Sequence, residues 1–502
     1  MTSLTPATAA AKQDPRLWGL LFVLAGNMLI DALEVSVLVV AAPSIGADLR
    51  LAPAVLQWTI SGFALGFGGL LLFGARVVAL LGRRRVYLAA LLAFAAASLV
   101  AALATDPALL TATRFVKGFC AALTAPTGLA IISTAFREGP ARDRAVSVYT
   151  LFGAAGFTAG LLLSGLLTSV SWRWTLAFPA PVVLLLFLFA RRLLPPDEPT
   201  TDRSGSGNGS GGGEPDRAAD TPAAATAALR YDVAGAATLA GGLLTLVYGI
   251  SLAAEHGWRD VRTLTALVLG TALLAAFAVA ERRTPWPLMA TGPAAHGPLI
   301  RSALGAAALN GSYIGLLFVL TLHLQTVLGR SPLETALALA PASVPLAATA
   351  LFSGRLVARF GTARLIAAGA VPPFAGQLLL LRDGAPTQYL SGVLPVLLLV
   401  AAGFVLAFAA LNTQAVAGLP AAERGMAGGI YQTAVQTGAA LMAALVAVLL
   451  QTNRAAAGAS AADVVSGYRP ALLLIAAVGA VGVVVGVSGL VARDRKPGSR
   501  EG

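Results

Sequence analysis

Apolar stretches of about 18 to 25 residues recur along nearly the whole chain, and most are separated by short polar loops. A helix of about 20 apolar residues is long enough to cross a lipid bilayer. The pattern therefore predicts an all-α polytopic membrane protein with fourteen spans. The predicted limits are residues 17–42, 56–81, 86–105, 107–134, 145–170, 173–194, 231–254, 263–281, 300–324, 333–358, 363–381, 390–418, 426–450 and 470–492.

The composition agrees with this class and excludes several others. Hydrophobic residues make up 57% of the 502 residues and charged residues 12%, which is about half the charged fraction of a typical soluble domain. Cys120 is the single cysteine, so an internal disulfide is excluded, and the three histidines lack zinc-site spacing. We find no nucleophile–base pair and no phosphate-binding loop, so we expect neither an enzyme nor a bound cofactor or metal.

The net charge of +12 is best explained by membrane orientation. When the spans alternate across the bilayer, most of the 35 Lys and Arg residues fall in loops on the side of the N-terminus. The positive-inside rule then predicts a protein of the cell membrane with both termini in the cytoplasm. Because the basic residues are spread over many short loops, we expect no nucleic-acid partner.

A linker and a weak repeat suggest the domain organisation. The loop at residues 195–230 is rich in Gly, Ser, Pro and Asp, which predicts a flexible cytoplasmic linker. GARVVALLGRRRV, at residues 74–86, resembles GRLVARFGTARLI, at residues 354–366, and such repeats are typical of secondary transporters. The predicted units are an N-terminal tail (1–16), a six-helix bundle (17–194), the linker (195–230), two extra helices (231–297), a second six-helix bundle (298–492) and a C-terminal tail (493–502).

Two acids and two bases lie inside predicted spans. Asp31 and Glu34 share one face of the first span with Asn27, and Arg114 and Lys117 share one face of the fourth. At the rise of an α-helix, Glu34 and Arg114 lie at matched depths, about 13 Å and about 12 Å from the outer ends of their spans. Intramembrane charges cost about 2.5–3.5 kcal/mol each, so these four side chains should face one another or a cavity.

Two interpretations of this cluster are open. The four groups could form an ion-pair network that only holds the first and fourth spans together. Alternatively, the cluster titrates, since burial disfavours the charged form of a carboxylate while a neighbouring cation favours it. We prefer the second interpretation.

The second half of the chain has a milder polar lining. Asn310 and Tyr313 share a face of the ninth span, and Gln432 and Gln436 share a face of the thirteenth. Each residue alone is typical of hydrogen bonding between helices. Together with Asn27, they predict the lining of an apolar cavity with a few polar groups.

Several motifs occur in the order found in one transporter family. EVSVLVVAAPSI places Glu34 nine residues before Pro43, and WRW begins at Trp172. RFVKGFCAALTAP includes Arg114, and ERGMAGGIYQTAVQTG begins at Glu423. The two remaining motifs are a loop that contains Arg76, Gly82, Arg83, Arg84 and Arg85, and GAAGFTAGLLLSG, which contains Gly156, Gly160 and Gly165. These segments resemble the major facilitator superfamily and its fourteen-helix drug–proton antiporter branch.

The resemblance implies a monomeric secondary transporter in the lipid bilayer that exports an amphipathic drug or antibiotic in exchange for protons. Its fold would be two six-helix bundles plus two extra helices, powered by the proton gradient. It makes Glu34 the first candidate for the proton site and Asp31 the second, with Arg114 and Lys117 as partners. The arginines near Gly82 would belong to the cytoplasmic gate, and the glycines of the fifth span to a moving interface.

Three positions depart from the family pattern. Ala79 stands where an aspartate is usual, Leu161 where a proline is usual, and Lys117 where a glutamine is usual. Because the first two changes affect motifs linked to gating and antiport, three alternatives stay open. They are a proton-coupled importer, a lipid flippase and, as the weakest, a membrane protein that does not transport.

Overall fold

The computed structural model describes residues 15–136, 139–196, 222–283, 296–349, 352–383, 388–453 and 461–494. All regular structure in these ranges is helical, and thirteen helical segments are long and apolar enough to cross a membrane. The prediction of an all-α polytopic membrane protein is confirmed.

Seven helices form the first bundle. They are α1 (Pro15–Asp48), α2 (Pro53–Leu81), α3 (Arg83–Leu103), α4 (Pro107–Ala135), α5 (Pro140–Thr168), α6 (Trp172–Ala177) and α7 (Pro179–Leu193). Five of them begin with proline. The first residue of a helix donates no hydrogen bond within the helix, so proline, which lacks the backbone N–H, is well tolerated there. The predicted span 173–194 is divided into α6 and α7 at Phe178, because Pro179 supplies no backbone donor.

Two further helices precede the second bundle, α8 (Pro222–His256) and α9 (Val261–Arg283). α8 begins at Pro222, inside the segment 195–230 that was predicted to be a linker, and the part of it that is apolar enough to cross a membrane is Ala234–His256. The sequence PAAATAALR explains the earlier start, since proline favours the first helical position and alanine has the highest helix propensity. The rest of the predicted linker from residue 197 lies outside the described residues.

The second bundle contains several interrupted spans. Its elements are α10 (Gly297–Leu322), a π-helical turn (His323–Val327), α11 (Pro332–Thr349), α12 (Ser353–Phe360), α13 (Thr362–Asp383), a second π-helical turn (Tyr389–Val393), α14 (Leu394–Val416), α15 (Ala421–Thr452), α16 (Ala461–Gly467) and α17 (Arg469–Asp494). The predicted span 333–358 is covered by α11 and α12, and residues 350–351 between them lie outside the described residues. Pro341 and Pro345 lie inside α11, where each lacks a backbone N–H for the helical hydrogen bonds.

Helix contacts define how the bundles are built and where they meet. In the first bundle α1 packs on α5 and α2 packs on α4, and in the second α10 packs on α15 and α13 packs on α14. The bundles meet along two seams, α2 with α15 and α5 with α11. α8 lies against both α2 and α15, and α9 packs on α8, so the two extra helices cover the first seam.

The glycines of α5 serve two different interfaces. A Cβ atom on Gly156 would lie 2.8 Å from the Cβ atom of Ala32, and Gly160 packs closely on the same helix, α1. A Cβ atom on Gly165 would instead lie 2.9 Å from the carbonyl oxygen of Pro332 in α11. Glycine thus permits close packing inside the first bundle at two positions and between the bundles at the third.

Candidate functional site

Glu34 is the centre of a buried ion cluster in the first bundle. Its carboxylate forms an ion pair with the guanidinium of Arg114, and Lys117 Nζ lies 2.5 Å from Glu34 Oε1. Arg114 also donates from Nε to the carbonyl oxygen of Thr59, at 2.9 Å, and from Nη2 to that of Glu34, at 2.8 Å. All three charged side chains are at most 1% exposed, so the cluster joins α1, α2 and α4 in the absence of bulk water.

Aromatic rings form part of the wall around the two cations. The guanidinium of Arg114 lies 4.9 Å from the ring centre of Phe63, and Lys117 Nζ lies 4.9 Å from that of Phe94. The ring faces attract the cations and exclude water from them. This environment lowers the local dielectric and strengthens the ion pairs with Glu34.

Asp31 lies one helical turn away in a different environment. Its Oδ2 atom accepts hydrogen bonds from Asn27 Nδ2 and from Thr124 Oγ1, both at 2.9 Å. The side chain is 2% exposed. Among the residues that the structure describes, no basic nitrogen forms an ion pair with Asp31.

The structure therefore divides the four charges unequally. The matched depths had suggested two acids facing two bases, but Glu34 holds both Arg114 and Lys117. Asp31 is held only by neutral donors. If Asp31 is ionised, the four charges sum to zero, and if it is protonated they sum to +1.

The residues predicted to line a substrate cavity do not form one group. Asn27 belongs with Asp31 in the first bundle. Asn310 is 8% exposed and donates to the carbonyl oxygen of Val435, at 3.1 Å, which links α10 to α15. Gln436 is 2% exposed, and its Oε1 atom has no hydrogen-bond partner in the part of the chain that the structure describes. Gln432, one turn away, is half-buried.

Tyr313 lies in a row of aromatic rings that crosses between the bundles. Its ring centre is 5.5 Å from that of Phe157 in α5 and 4.6 Å from that of Phe404 in α14. Phe404 is in turn stacked on Phe408, with 5.8 Å between the ring centres. We call these four residues the aromatic row. Tyr313 is 3% exposed, and its hydroxyl has no hydrogen-bond partner among the described residues.

The candidate gate residues lie where α2 turns into α3. They are Arg76, Gly82, Arg83, Arg84 and Arg85. Gly82 has φ +91°, a conformation that glycine adopts without strain. Arg84 Nη2 donates to the carbonyl oxygen of Arg191, at 2.8 Å, and so ties α3 to α7. This group lies at the end of the bundle opposite the α1–α2 connection.

Sequence reasoning missed several contributors to these sites. Thr124, which donates a hydrogen bond to Asp31, was not singled out in the sequence, although it lies on the same helix as Arg114. Phe404 and Phe408 are four residues apart on α14, which is a visible signal, whereas nothing local indicates their contact with Tyr313. The WRW motif has a structural role, since Trp172 Nε1 donates to Asp48 Oδ2, at 2.9 Å, and thereby joins α6 to the end of α1.

The fold and the buried ion cluster define a polytopic membrane protein of the two-bundle transporter class. Solved structures with this fold include the D-xylose-proton symporter, with a TM-score of 0.61, 15% identity and coverage of 94% of this chain and 97% of that one. A peptide transporter, POT, solved in complex with sulfate, has a TM-score of 0.61, 16% identity and coverage of 96% and 94%.

A family model matches residues 24–443, and the chain belongs to the Major Facilitator Superfamily. The puromycin resistance protein pur8 of Streptomyces alboniger is 36% identical, over 92% of this chain and 86% of that protein. The cephamycin export protein CmcT of Amycolatopsis lactamdurans is 34% identical, over 93% and 91%. The superfamily predicted from the motifs is confirmed. One of these relatives is named for resistance to an antibiotic and the other for export of one.

Proposed function

We propose that the protein exports an amphipathic small molecule across the cell membrane in exchange for protons. The superfamily and the relatives named for antibiotic resistance and export support the direction and the class of substrate. The observation that carries the proton coupling is the unequal pairing of two buried acids with two buried bases in the first bundle. No catalytic step and no cofactor is part of this proposal.

Asp31 is the group that gains and loses the proton in this proposal. Protonating Glu34 would leave Arg114 and Lys117 as two buried cations without an anion, which is costly in a low-dielectric interior. Protonating Asp31 leaves the Glu34 ion cluster intact and changes only bonds to Asn27 and Thr124. The order expected from the family motif is therefore reversed, with Glu34 as the fixed anion.

The proton supplies the energy for export. Each proton that moves through about 100 mV releases about 2.3 kcal/mol. At about 1.4 kcal/mol per factor of ten, this supports a substrate gradient of about fiftyfold. The ion cluster joins α1, α2 and α4, and Asp31 lies one turn from it on α1. A change of charge at Asp31 can therefore alter how these helices pack. This change in packing would accompany the rocking of the two bundles about their seams.

We also propose the topology and the assembly. The monomer has both termini in the cytoplasm, since most Lys and Arg residues fall in loops on that side. The bundles at 17–194 and 298–492 flank the extra helices. A reporter that is active only outside the cytoplasm, fused at residue 210, should give no signal, and a strong signal there would contradict this orientation.

The decisive experiment measures proton-driven transport in inside-out vesicles. A panel that includes puromycin and a cephamycin is offered to the wild-type protein under an imposed pH gradient, acidic inside. We expect uptake by the wild type. The Asp31→Asn variant should fold and carry substrate down its own gradient, but the pH gradient should no longer drive uptake.

The matched control is Asp48→Asn, which makes the same change at a carboxylate that is 48% exposed in the same helix. It should keep proton-driven uptake. Persistent proton-driven uptake in Asp31→Asn would place the coupling site elsewhere. If cells that produce the wild-type protein are more sensitive to the panel compounds than cells that lack it, the result would instead support import.

A further inference from the structure

We propose that the aromatic row, Phe157, Tyr313, Phe404 and Phe408, binds an uncharged aromatic ring of the substrate, with a polar atom of that ring system hydrogen-bonded to the Tyr313 hydroxyl. The proposal rests on the proposed function for the role of substrate. It adds the chemical class that the transporter recognises and the residues that select it.

The first step is the position of the row. Phe157 belongs to α5 of the first bundle, whereas Tyr313 and Phe404 belong to α10 and α14 of the second. The contact between Phe157 and Tyr313, with 5.5 Å between ring centres, is therefore a contact between the two bundles. Transporters of this architecture hold substrate between their halves and move the halves relative to each other.

The second step is the unpartnered hydroxyl of Tyr313. The side chain is 3% exposed, and among the residues that the structure describes no protein group forms a hydrogen bond with its hydroxyl. A buried hydroxyl without a partner is destabilising, and such groups are usually satisfied or functional. A ligand atom that accepts a hydrogen bond would remove this cost, and it would gain specificity because an analogue without the acceptor leaves the hydroxyl unpaired.

The third step is charge. Among the described residues of the second bundle, no Asp, Glu, Lys or Arg is buried. The buried polar side chains near the row are neutral, and Asn310 lies one turn before Tyr313 on α10. A charged group at the row would have no counter-ion there. The row therefore selects an uncharged aromatic ring, and any charge on the substrate must lie elsewhere.

These observations describe how a substrate ring enters the row. In the present conformation Phe157 lies against Tyr313 and closes the row. When the bundles separate, the substrate ring enters between Phe157 and Tyr313, with Phe404 and Phe408 behind it. Ring stacking favours this arrangement over contact with an aliphatic group of equal area.

Equilibrium binding to purified protein tests the proposal without requiring transport. The probes are puromycin, which carries aromatic rings, and lincomycin, which carries none. We expect the wild type to bind puromycin more tightly. Tyr313→Leu and Phe157→Leu should each raise the Kd for puromycin by about tenfold, as expected for the loss of one stacked ring, and leave that for lincomycin unchanged.

Two further variants sharpen the test. Tyr313→Phe keeps the ring and removes the hydroxyl, so it should raise the Kd for puromycin by about threefold to tenfold. The control is Phe152→Leu, which removes a ring that is paired with Phe22 on the outside of the first bundle, at 6.2 Å, and it should change neither Kd.

Equal binding of both compounds by the wild type, or equal shifts for both in the row variants, would overturn the inference. Binding of neither compound would also overturn it. Puromycin that binds with the expected pattern but is not transported in vesicles would overturn the proposed function and leave the binding site standing.

Discussion

The two bundles have similar helical frames but different interiors. The first contains four buried charged side chains, Asp31, Glu34, Arg114 and Lys117. In the described part of the second, the buried polar side chains are hydroxyls, amides and one imidazole, next to the aromatic row. This difference separates two tasks, since proton exchange needs charges that can be balanced, and recognition of an apolar substrate needs a surface without them.

The charges of the first bundle are tolerated because they are concentrated. Glu34 balances two cations at once, and Arg114 also satisfies two backbone carbonyl oxygens. An isolated charge in the second bundle would find only neutral groups. We therefore expect that removing a charge destabilises the first bundle, whereas adding a charge destabilises the second.

The largest effect is expected for Glu34→Gln, which leaves Arg114 and Lys117 without an anion. Breaking a buried ion pair by removing one partner costs about 3–5 kcal/mol, so we expect a large loss of folded protein. The amount of monodisperse protein after detergent extraction and its thermal unfolding measure this. Glu334→Gln, at an acid that is 52% exposed in the second bundle, is the control and should change little.

A second substitution tests the cause of that loss. If the unbalanced cations are responsible, adding Lys117→Gln to Glu34→Gln should recover part of the folded protein, because Lys117 then no longer needs an anion. Arg114 keeps its bond to Thr59 in this variant. A double variant that folds no better than Glu34→Gln would show that the unbalanced charge of Lys117 is not the cause of the loss.

A smaller effect is expected when a charge is added to the second bundle. Asn310→Asp places a carboxylate next to the carbonyl oxygen of Val435, and no buried residue in the described part of that bundle is a cation. A charge at a helix centre costs about 2.5–3.5 kcal/mol, and the free energy of unfolding should fall by a similar amount. Asn310→Leu loses only the hydrogen bond and should cost less. Equal losses for the two variants would contradict the comparison of the bundles.

Apolar length and charge placement were sufficient to predict the class of fold, because a helix that crosses a bilayer must be long and apolar. Matched depth likewise brought Glu34 to Arg114 and Lys117. It could not decide which acid each base would reach, since the rotation of a helix and the rotamer of a long side chain determine that. Both bases pair with Glu34, so Asp31 accepts hydrogen bonds only from neutral donors. This pairing is evident only from the three-dimensional structure.

Interruptions of the helices and contacts between the bundles were harder to predict. Pro341 and Pro345 are evident in the sequence, but proline is tolerated in many membrane helices, and α11 continues past both of them. The contact of Phe157 with Tyr313 joins residues that are far apart in the chain. It follows from how the bundles meet, and no local pattern encodes it.

The smallest effect is expected for a neutral hydrogen bond between the first bundle and an extra helix. Gln57 Nε2 donates to Ser251 Oγ, at 2.8 Å, and so joins α2 to the extra helix α8. Both side chains are buried and uncharged, as is Asn310 in the second bundle. If charge and not polarity distinguishes the two interiors, the hydrogen bond between Gln57 and Ser251 should contribute as little to the free energy of unfolding as the hydrogen bond from Asn310 to Val435.

A double-mutant cycle with Gln57→Leu and Ser251→Ala measures it. Hydrogen bonds between membrane helices average about 0.6 kcal/mol in such cycles, and we expect a coupling energy near that value. The same cycle cannot be built for Asn310, whose acceptor is a backbone oxygen, so the single variant Asn310→Leu is the comparison. A coupling energy as large as the loss caused by Glu34→Gln would show that the first bundle depends on polar contacts in general, and the contrast drawn from the charged cluster would then fail.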